Sequence, residues 1–76
     1  MNLREATETF DDFVAELAEQ PVPVSERLYA FADLMGAWAA AWDIEDASSA
    51  RLAIAHVAHN VRYLGAAFAG GEANAE

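Results

Sequence analysis

Residues 26–42 read ERLYAFADLMGAWAAAW, and this stretch decides the fold. Large apolar side chains recur along it in steps of three and four residues, which is the spacing of one face of an α-helix. The opposite face holds glycine and alanine, and Asp33 is its only charge beyond the first turn. A helix that is apolar nearly all round needs neighbours on more than one side, so we expect helix 2, over 26–42, at the centre of the fold. Its large apolar residues form the central stripe: Leu28, Phe31, Met35, Trp38 and Trp42.

The residues before this stretch predict helix 1 over 3–19. Asn2 and Glu5 have the spacing of a capping box, in which the asparagine oxygen accepts a hydrogen bond from the third backbone N–H of the helix. Apolar residues then recur in steps of three and four from Leu3 to Leu17. The opposite side of the helix carries carboxylates at helical spacing, the acidic ridge: Glu5, Glu8, Asp12, Glu16 and Glu19. Neighbouring like charges at this spacing repel one another by ~0.2–0.5 kcal/mol per pair.

Two short connections separate the helices. Residues 20–25 read QPVPVS; the prolines stop helix 1 because proline lacks a backbone N–H, and Ser25 is the expected N-cap of helix 2. The second connection, 43–46, is short and acidic. Asp46 or Ser48 is expected to cap the helix that follows it.

Helix 3 is expected over 47–69 and should end at the Gly-Gly pair 70–71, a common C-terminal signal. Residues 72–76 are expected to form a disordered acidic tail. The apolar residues of this helix recur in a heptad-like pattern, the heptad stripe: Ala50, Ile54, Val57, Val61, Leu64 and Phe68.

These patterns predict an all-α fold, a small antiparallel three-helix bundle that forms a single domain over 1–71. Helices 2 and 3 would form a hairpin, and helix 1 would lie across it. Helix 3 has a second, half-polar side, the histidine face: Leu52, His56, His59 and Tyr63. One bundle of this size cannot bury both sides of helix 3 and the alanine- and glycine-rich back of helix 2. We therefore expect a homodimer through these second faces, or a partner protein that covers them.

The charge of the chain excludes several functional classes. Thirteen acids, four arginines and no lysine give a net charge of −9, and residues 47–71 carry no acid. Direct binding to nucleic acid is disfavoured by such a field. The chain has no cysteine, so disulfides and thiolate metal sites are excluded. Its first residues lack the features of a signal peptide, and no run approaches the ~18 apolar residues of a membrane span, so we expect a cytoplasmic protein with no membrane partner.

No catalytic motif is present, and we expect neither an enzyme nor a cofactor. The serines lie at expected helix starts, where capping explains them. His56 and His59 are three residues apart, a spacing that can place two imidazoles on one metal ion. A carboxylate such as Asp33, or a second subunit, would have to complete the site. The alternatives are a pair of histidines on a contact face and a pH-sensitive interface.

Trp38 and Trp42 lie one helical turn apart, where they could stack on a ligand or anchor a partner. Their place in the central stripe favours packing in the core. If either indole is only half buried, it becomes a natural interface hot spot.

The acidic ridge supplies the sharpest functional hypothesis: a non-catalytic protein-interaction module, an adaptor or inhibitor, that also uses the apolar faces of helices 2 and 3. A solvated helix face with no partner is the competing explanation. In size and charge alone, the chain is similar to small acidic phage inhibitors, including some anti-CRISPR proteins, which implies a phage or mobile-element inhibitor that mimics nucleic acid and blocks a DNA- or RNA-binding enzyme. The third hypothesis is a metal-binding bundle through His56 and His59.

The axial spacing of the ridge charges limits the mimicry hypothesis. The ridge places one charge per ~4.5–6 Å of helix axis, whereas duplex DNA carries one per ~1.7 Å. Glu26, Asp33 and the acids of the 43–46 connection, or a second subunit, would have to contribute further charges.

Overall fold

Three α-helices and the short connections between them make up the computed structural model, which describes residues 2–74 and the side chains of residues 2–71. They are α1 (Leu3–Glu19), α2 (Val24–Ala40) and α3 (Ser48–Asn74). The described part of the chain contains no strand. The predicted all-helical fold with three helices is confirmed. None of these helices, within the described residues, has both the length and the hydropathy that a membrane span needs.

Helix α1 has the bounds that the sequence predicts. Asn2 is its N-cap, and the Oδ1 atom of Asn2 accepts from the backbone N–H of Glu5 at 2.8 Å. The carboxylate of Glu5 accepts from the side-chain amide of Asn2 at 3.1 Å, so the reciprocal bond of the capping box is made to the side chain. This pair satisfies one of the backbone donors that a helix N-terminus leaves without an intrahelical acceptor.

Helix α2 begins and ends two residues earlier than the predicted range 26–42. Pro23 precedes it with φ −58°, which already suits a helix, and Ser25 lies inside the first turn, so the prediction of Ser25 as N-cap is wrong. At the other end the Ala41 N–H bonds to the carbonyls of both Ala37 and Trp38, so the last turn tightens. Trp42 therefore follows the helix instead of completing it.

Helix α3 begins one residue later than predicted, after Ala47, whose carbonyl accepts from the N–H of Arg51 at 2.9 Å. Asp46 lies in the preceding turn with φ 56°, a conformation that aspartate tolerates. The predicted stop at residues 70–71 is wrong, because the helix runs on to Asn74. A glycine ends a helix when it adopts positive φ, and none of the described glycines does. The predicted tail 72–76 is thus helical as far as Asn74, and residues 75–76 lie outside the described range.

Helix α2 lies between the other two helices. Leu34 and Ala41 border α1, whereas Ala32 and Ala39 border α3. Leu34 lies two residues after Ala32, and Ala41 lies two residues after Ala39; two residues correspond to about 200° around an α-helix. Helices α1 and α3 therefore attach on nearly opposite sides of α2. No Cα atom of α1 lies within 8 Å of one in α3 among the described residues. The expectation that helix 1 lies across both other helices is therefore wrong.

The result is a single layer of helices. The principal-axis extents of the molecule are 48 × 24 × 9 Å. Two stacked layers would need ~8–10 Å between helix axes plus the ~2.3 Å Cα radius on each side, which is more than the shortest extent. The radius of gyration is 14.0 Å, whereas a compact domain of this length has one of ~11 Å. Both broad faces of the layer are consequently open.

The buried core is small and consists mainly of small side chains. Ala32, Met35 and Ala58 form its centre, and half-buried apolar side chains from all three helices pack against it: Phe10, Phe31, Ile54 and Val61. None of the described large side chains is fully buried. Gly65 of α3 is also buried, and a Cβ atom there would lie 3.2 Å from the Tyr29 ring. The close approach of α3 to α2 therefore depends on alanine and glycine.

Candidate functional site

The acidic ridge lies along the outer edge of α1. Its five carboxylate residues are all exposed, and the buried residues of the helix, Ala6 and Leu17, lie on the opposite side. Glu8 accepts from Arg4 at 3.3 Å in a solvent-exposed ion pair. Four ridge residues form no ion pair among the described side chains: Glu5, Asp12, Glu16 and Glu19. Because α1 packs on α2 alone, the ridge is accessible over its full length of ~21 Å.

Two arginines bind backbone carbonyls at the ends of the preceding helices. Arg27 donates from Nη2 to the carbonyl of Gln20 at 2.7 Å, just beyond α1. Arg51 donates from Nε to the carbonyl of Ala39 at 3.0 Å and from Nη2 to that of Trp42, at the end of α2. Each arginine is the fourth residue of its own helix. A cation at the negative end of a helix dipole is favourable, so these contacts stabilise the C-terminal ends of α1 and α2.

The sequence patterns missed both of these contacts. An arginine in the first turn of a helix that follows a short connection could have predicted them, because it lies near the end of the preceding helix. The consequence for the site is electrostatic, because these two guanidinium groups face carbonyls and do not neutralise the ridge. The fourth arginine, Arg62, donates to the carboxylate of Asp33 at 2.9 Å across α2 and α3. The charge of Asp33 is thereby paired with α3, although Asp33 and the ridge residue Glu16 line the same groove between α1 and α2.

The histidine face is the most exposed side of α3. Leu52 and Tyr63 are 72% and 73% exposed, and His56 and His59 between them are exposed as well. No cluster of three histidine, cysteine or carboxylate residues suited to a metal ion occurs among the described residues. Asp33, the carboxylate considered for such a site, pairs with Arg62 instead. Both histidines are exposed on α3, and their role as interface residues stays a prediction.

The two tryptophans have different surroundings. Trp38 stacks on Phe10 of α1 with ring centroids 4.7 Å apart, and its Nε1 donates to Thr7 at 3.2 Å. Trp42 meets the edge of Trp38 at 5.1 Å, and the buried Nε1 atom of Trp42 has no hydrogen-bond acceptor among the described residues. Both indoles are half-buried. Trp38 therefore serves chiefly to attach α1 to α2.

The heptad stripe is divided along its length. Ile54 and Val61 pack against the core, whereas the other four residues, the open stripe, are exposed: Ala50, Val57, Leu64 and Phe68. The contact line on α3 instead runs through Ala58 and Gly65, each one residue beyond a member of the open stripe. Successive residues of an α-helix point about 100° apart around its axis, so Ala58 and Gly65 face a different side from Val57 and Leu64. The structure therefore leaves an apolar strip of α3 uncovered.

The grooves of the layer carry little chemistry. One groove between α1 and α2 is lined by apolar side chains and Thr9, with no titratable group, whereas a second groove between them holds the carboxylates of Glu16 and Asp33. General acid–base and nucleophilic catalysis need such groups close to one another in a concave site. A groove on α3 includes His56, but its other lining residues are Ser49 and apolar side chains.

The chain was also compared with known proteins. No protein-family model matches it, and neither the curated proteins nor the solved structures contain a match. The functional argument therefore depends on the chemistry of the surfaces described above.

Proposed function

We propose that this chain is a small non-catalytic protein-interaction module, an adaptor or inhibitor, that binds a basic surface of a partner protein through the acidic ridge. One observation carries the proposal: all five ridge residues are exposed, and Glu16 also lines a groove shared with α2. Only Arg4 pairs with a ridge carboxylate among the described side chains. A charge field of this kind accelerates encounter with a basic partner and fixes its orientation.

The non-catalytic part of the proposal is supported by the small number of polar groups that the described grooves bring together. One groove between α1 and α2 is lined by apolar side chains and Thr9, and a second holds the carboxylates of Glu16 and Asp33 without a histidine or a nucleophile. The groove on α3 that includes His56 holds no second titratable group. Such surfaces suit contact with a macromolecule better than they suit chemistry on a small substrate.

The proposal also includes an antiparallel arrangement of the helices and a homodimer. The order of the contacts supports the former: Thr7 bonds to Trp38, whereas Leu17 shares a groove with Ala30. The uncovered apolar surface of the layer supports the latter, because monomeric proteins rarely leave large apolar patches in water. The dimer would also supply a second ridge to the partner.

The ridge is tested with two triple variants that change the net charge equally. Glu8, Asp12 and Glu16 are replaced by lysine in the first, and Glu26, Asp43 and Glu45, exposed acids outside the ridge, in the second. Wild type and both variants serve as baits in parallel affinity purifications, followed by calorimetric titration of any retained protein. We expect a protein that binds the wild type and the control but binds the ridge variant at least ~100-fold more weakly, since several charge contacts are reversed together.

Equal retention by all three baits would contradict a role for the ridge. Equal loss in both variants would show that only net charge matters. Circular dichroism spectra of the three proteins control for helix content.

A second candidate function is inhibition by mimicry of nucleic acid. The observation that favours it is the length of unobstructed carboxylates on a rigid helix. The pairing of Asp33 with Arg62 weakens it, because this acid no longer adds to a phosphate-like array. A mimic would need the acids of the 43–46 connection or the ridge of a second copy to approach the charge density of DNA.

Competition distinguishes the two candidates. A nucleic-acid mimic would be displaced from its partner by duplex DNA, and its affinity would fall steeply as salt rises. An adaptor that binds elsewhere would remain bound while the same partner takes up DNA. The ridge variant provides the control in both titrations.

A further inference from the structure

The open stripe of α3 is an exposed apolar surface that no contact within the chain explains. Leu64 and Phe68 are 49% and 48% exposed, although both belong to a heptad pattern that usually predicts a buried seam. Their heptad partners Ile54 and Val61 already pack against the core of the same chain. One side of the heptad stripe is therefore used within the chain, and the other side is free.

We propose that the open stripe packs against the same stripe of a second copy, so that the two α3 helices lie side by side about a twofold axis. This inference rests on the homodimer proposed above and assigns its interface. The arrangement would complete the heptad seam over ~27 Å, the length of α3 from Ala50 to Phe68. A twofold interface needs one self-complementary patch, and an apolar helical strip satisfies that requirement.

The solvent-accessible surface of the chain is consistent with a second copy bound to the open stripe. The solvent-accessible surface is 5313 Å², whereas a folded monomer of 8.2 kDa exposes ~4500 Å². The excess is roughly 800 Å², which is the area that each partner buries in an interface of standard size. The open layer thus exposes about as much additional surface as a stable dimer would remove from water.

The distribution of charge also favours a contact between two copies through α3. Two chains with a net charge of −9 each repel one another through most of their surfaces. Residues 48–71 of α3 contain no acid, and both arginines in this range face α2, where they bond to Ala39, Trp42 and Asp33. Glu72, four residues after Phe68, is the one acid of α3, so two copies that meet along the open stripe bring fewer carboxylates together than they would along α1.

The histidine face is a less suitable interface, although it is more exposed. Its two imidazoles lie between Leu52 and Tyr63, and burying them without hydrogen-bond partners would oppose association. The open stripe consists of apolar side chains alone, so its burial has no such cost. We therefore assign the dimer interface to the open stripe, in place of the histidine face and the back of α2.

Two leucines on α3 provide a matched test. Leu64→Lys places a charge in the open stripe, and Leu52→Lys places the same charge on the histidine face. Leucine and lysine have similar helix propensities, and both positions are exposed, so both variants should fold. Sedimentation equilibrium over a range of concentrations gives the dimer dissociation constant of each.

We expect Leu64→Lys to raise the dissociation constant at least ~100-fold, because the substitution occurs twice in the interface. Leu52→Lys should change it less than ~3-fold. If Leu64→Lys loses helicity, Val57→Lys tests the same stripe.

A dimer lost in Leu52→Lys, or retained in Leu64→Lys, overturns the assignment and leaves the homodimer itself standing. A wild-type chain that is monomeric at every concentration overturns both. Binding of a basic partner through the ridge is tested separately by the triple variants, so failure of one proposal is distinguishable from failure of the other.

Discussion

The two outer helices, α1 and α3, hold equivalent positions and have opposite surfaces. Each packs on α2 and leaves its far side open. Residues 3–19 carry six acids and one arginine, whereas residues 48–71 carry two arginines and no acid. An edge of charges remains solvated unless a basic surface meets it, and an apolar edge is stabilised by whatever covers it. This contrast is consistent with the two proposals above, in which α1 binds an external partner and α3 serves the assembly of the protein itself.

The contacts of the two helices with α2 differ as well. Helix α1 is attached through large rings, with Phe10 against Phe31 and Trp38. Helix α3 is attached through small residues, with Ala58 in the core and Gly65 against Tyr29. A contact between small residues allows two helix backbones to approach closely and tolerates little added volume. The stability of the layer should therefore respond differently to enlargement on its two sides.

The largest effect is expected from Ala58→Leu, which adds a side chain to the closest part of the contact between α2 and α3. Ala58 is 2% exposed, so the added volume must displace α3 or force strained side chains. We expect a loss of up to ~3 kcal/mol in the free energy of unfolding, measured by urea denaturation. Ala55→Leu, at an exposed position of the same helix, provides the control and should change it by less than ~0.5 kcal/mol.

A smaller effect is expected from the arginines of α3. Arg51→Met removes the hydrogen bonds to the last carbonyls of α2, and we expect a loss of about 1–2 kcal/mol in the free energy of unfolding. Arg62→Met removes an ion pair whose side chains are 47% and 76% exposed, and such pairs contribute ~0–1 kcal/mol. Equal losses in the two variants would show that Arg51 does not determine the end of α2.

The smallest effects concern two glycines inside helices. Gly36→Ala has no atom within 4 Å of the new Cβ, so it should stabilise the protein by about 0.5–1 kcal/mol through helix propensity. Gly65→Ala would place its Cβ 3.4 Å from Leu28 and closer still to Tyr29, which should cancel that gain. Thermal unfolding of the two single variants checks the difference. A gain at Gly65 as large as that at Gly36 would mean that α3 lies farther from α2 than described.

The existence of the three helices could be predicted from the spacing of apolar residues, and the exposure of the acidic ridge follows from the same spacing. The bounds of α1 could be predicted as well, whereas both ends of α2 and the C-terminal end of α3 differ from the prediction. Arg51 holds the carbonyls of Ala39 and Trp42, so α2 ends before Trp42. The glycines at 70–71 do not adopt positive φ, so α3 continues through them.

The arrangement of the helices was also beyond the sequence pattern. Periodicity records where large apolar residues lie, and it predicts that these residues face the core. Helix α3 instead turns Ala58 and Gly65 towards α2, and Leu64 remains open. Small residues give no strong periodic signal, although close helix contacts depend on them. The difference between the predicted stripe and the observed contact line is what exposes the proposed dimer surface.

The measurement that tests the contrast between the two edges most directly is the solution mass of the wild-type chain, by light scattering on a sizing column at low and at high salt. An apolar interface on α3 predicts twice the 8.2 kDa of one chain at both salt concentrations. High salt should strengthen the dimer slightly, because it screens the repulsion between the two acidic chains. A mass of one chain at both concentrations, or a dimer that dissociates as salt rises, would contradict the account.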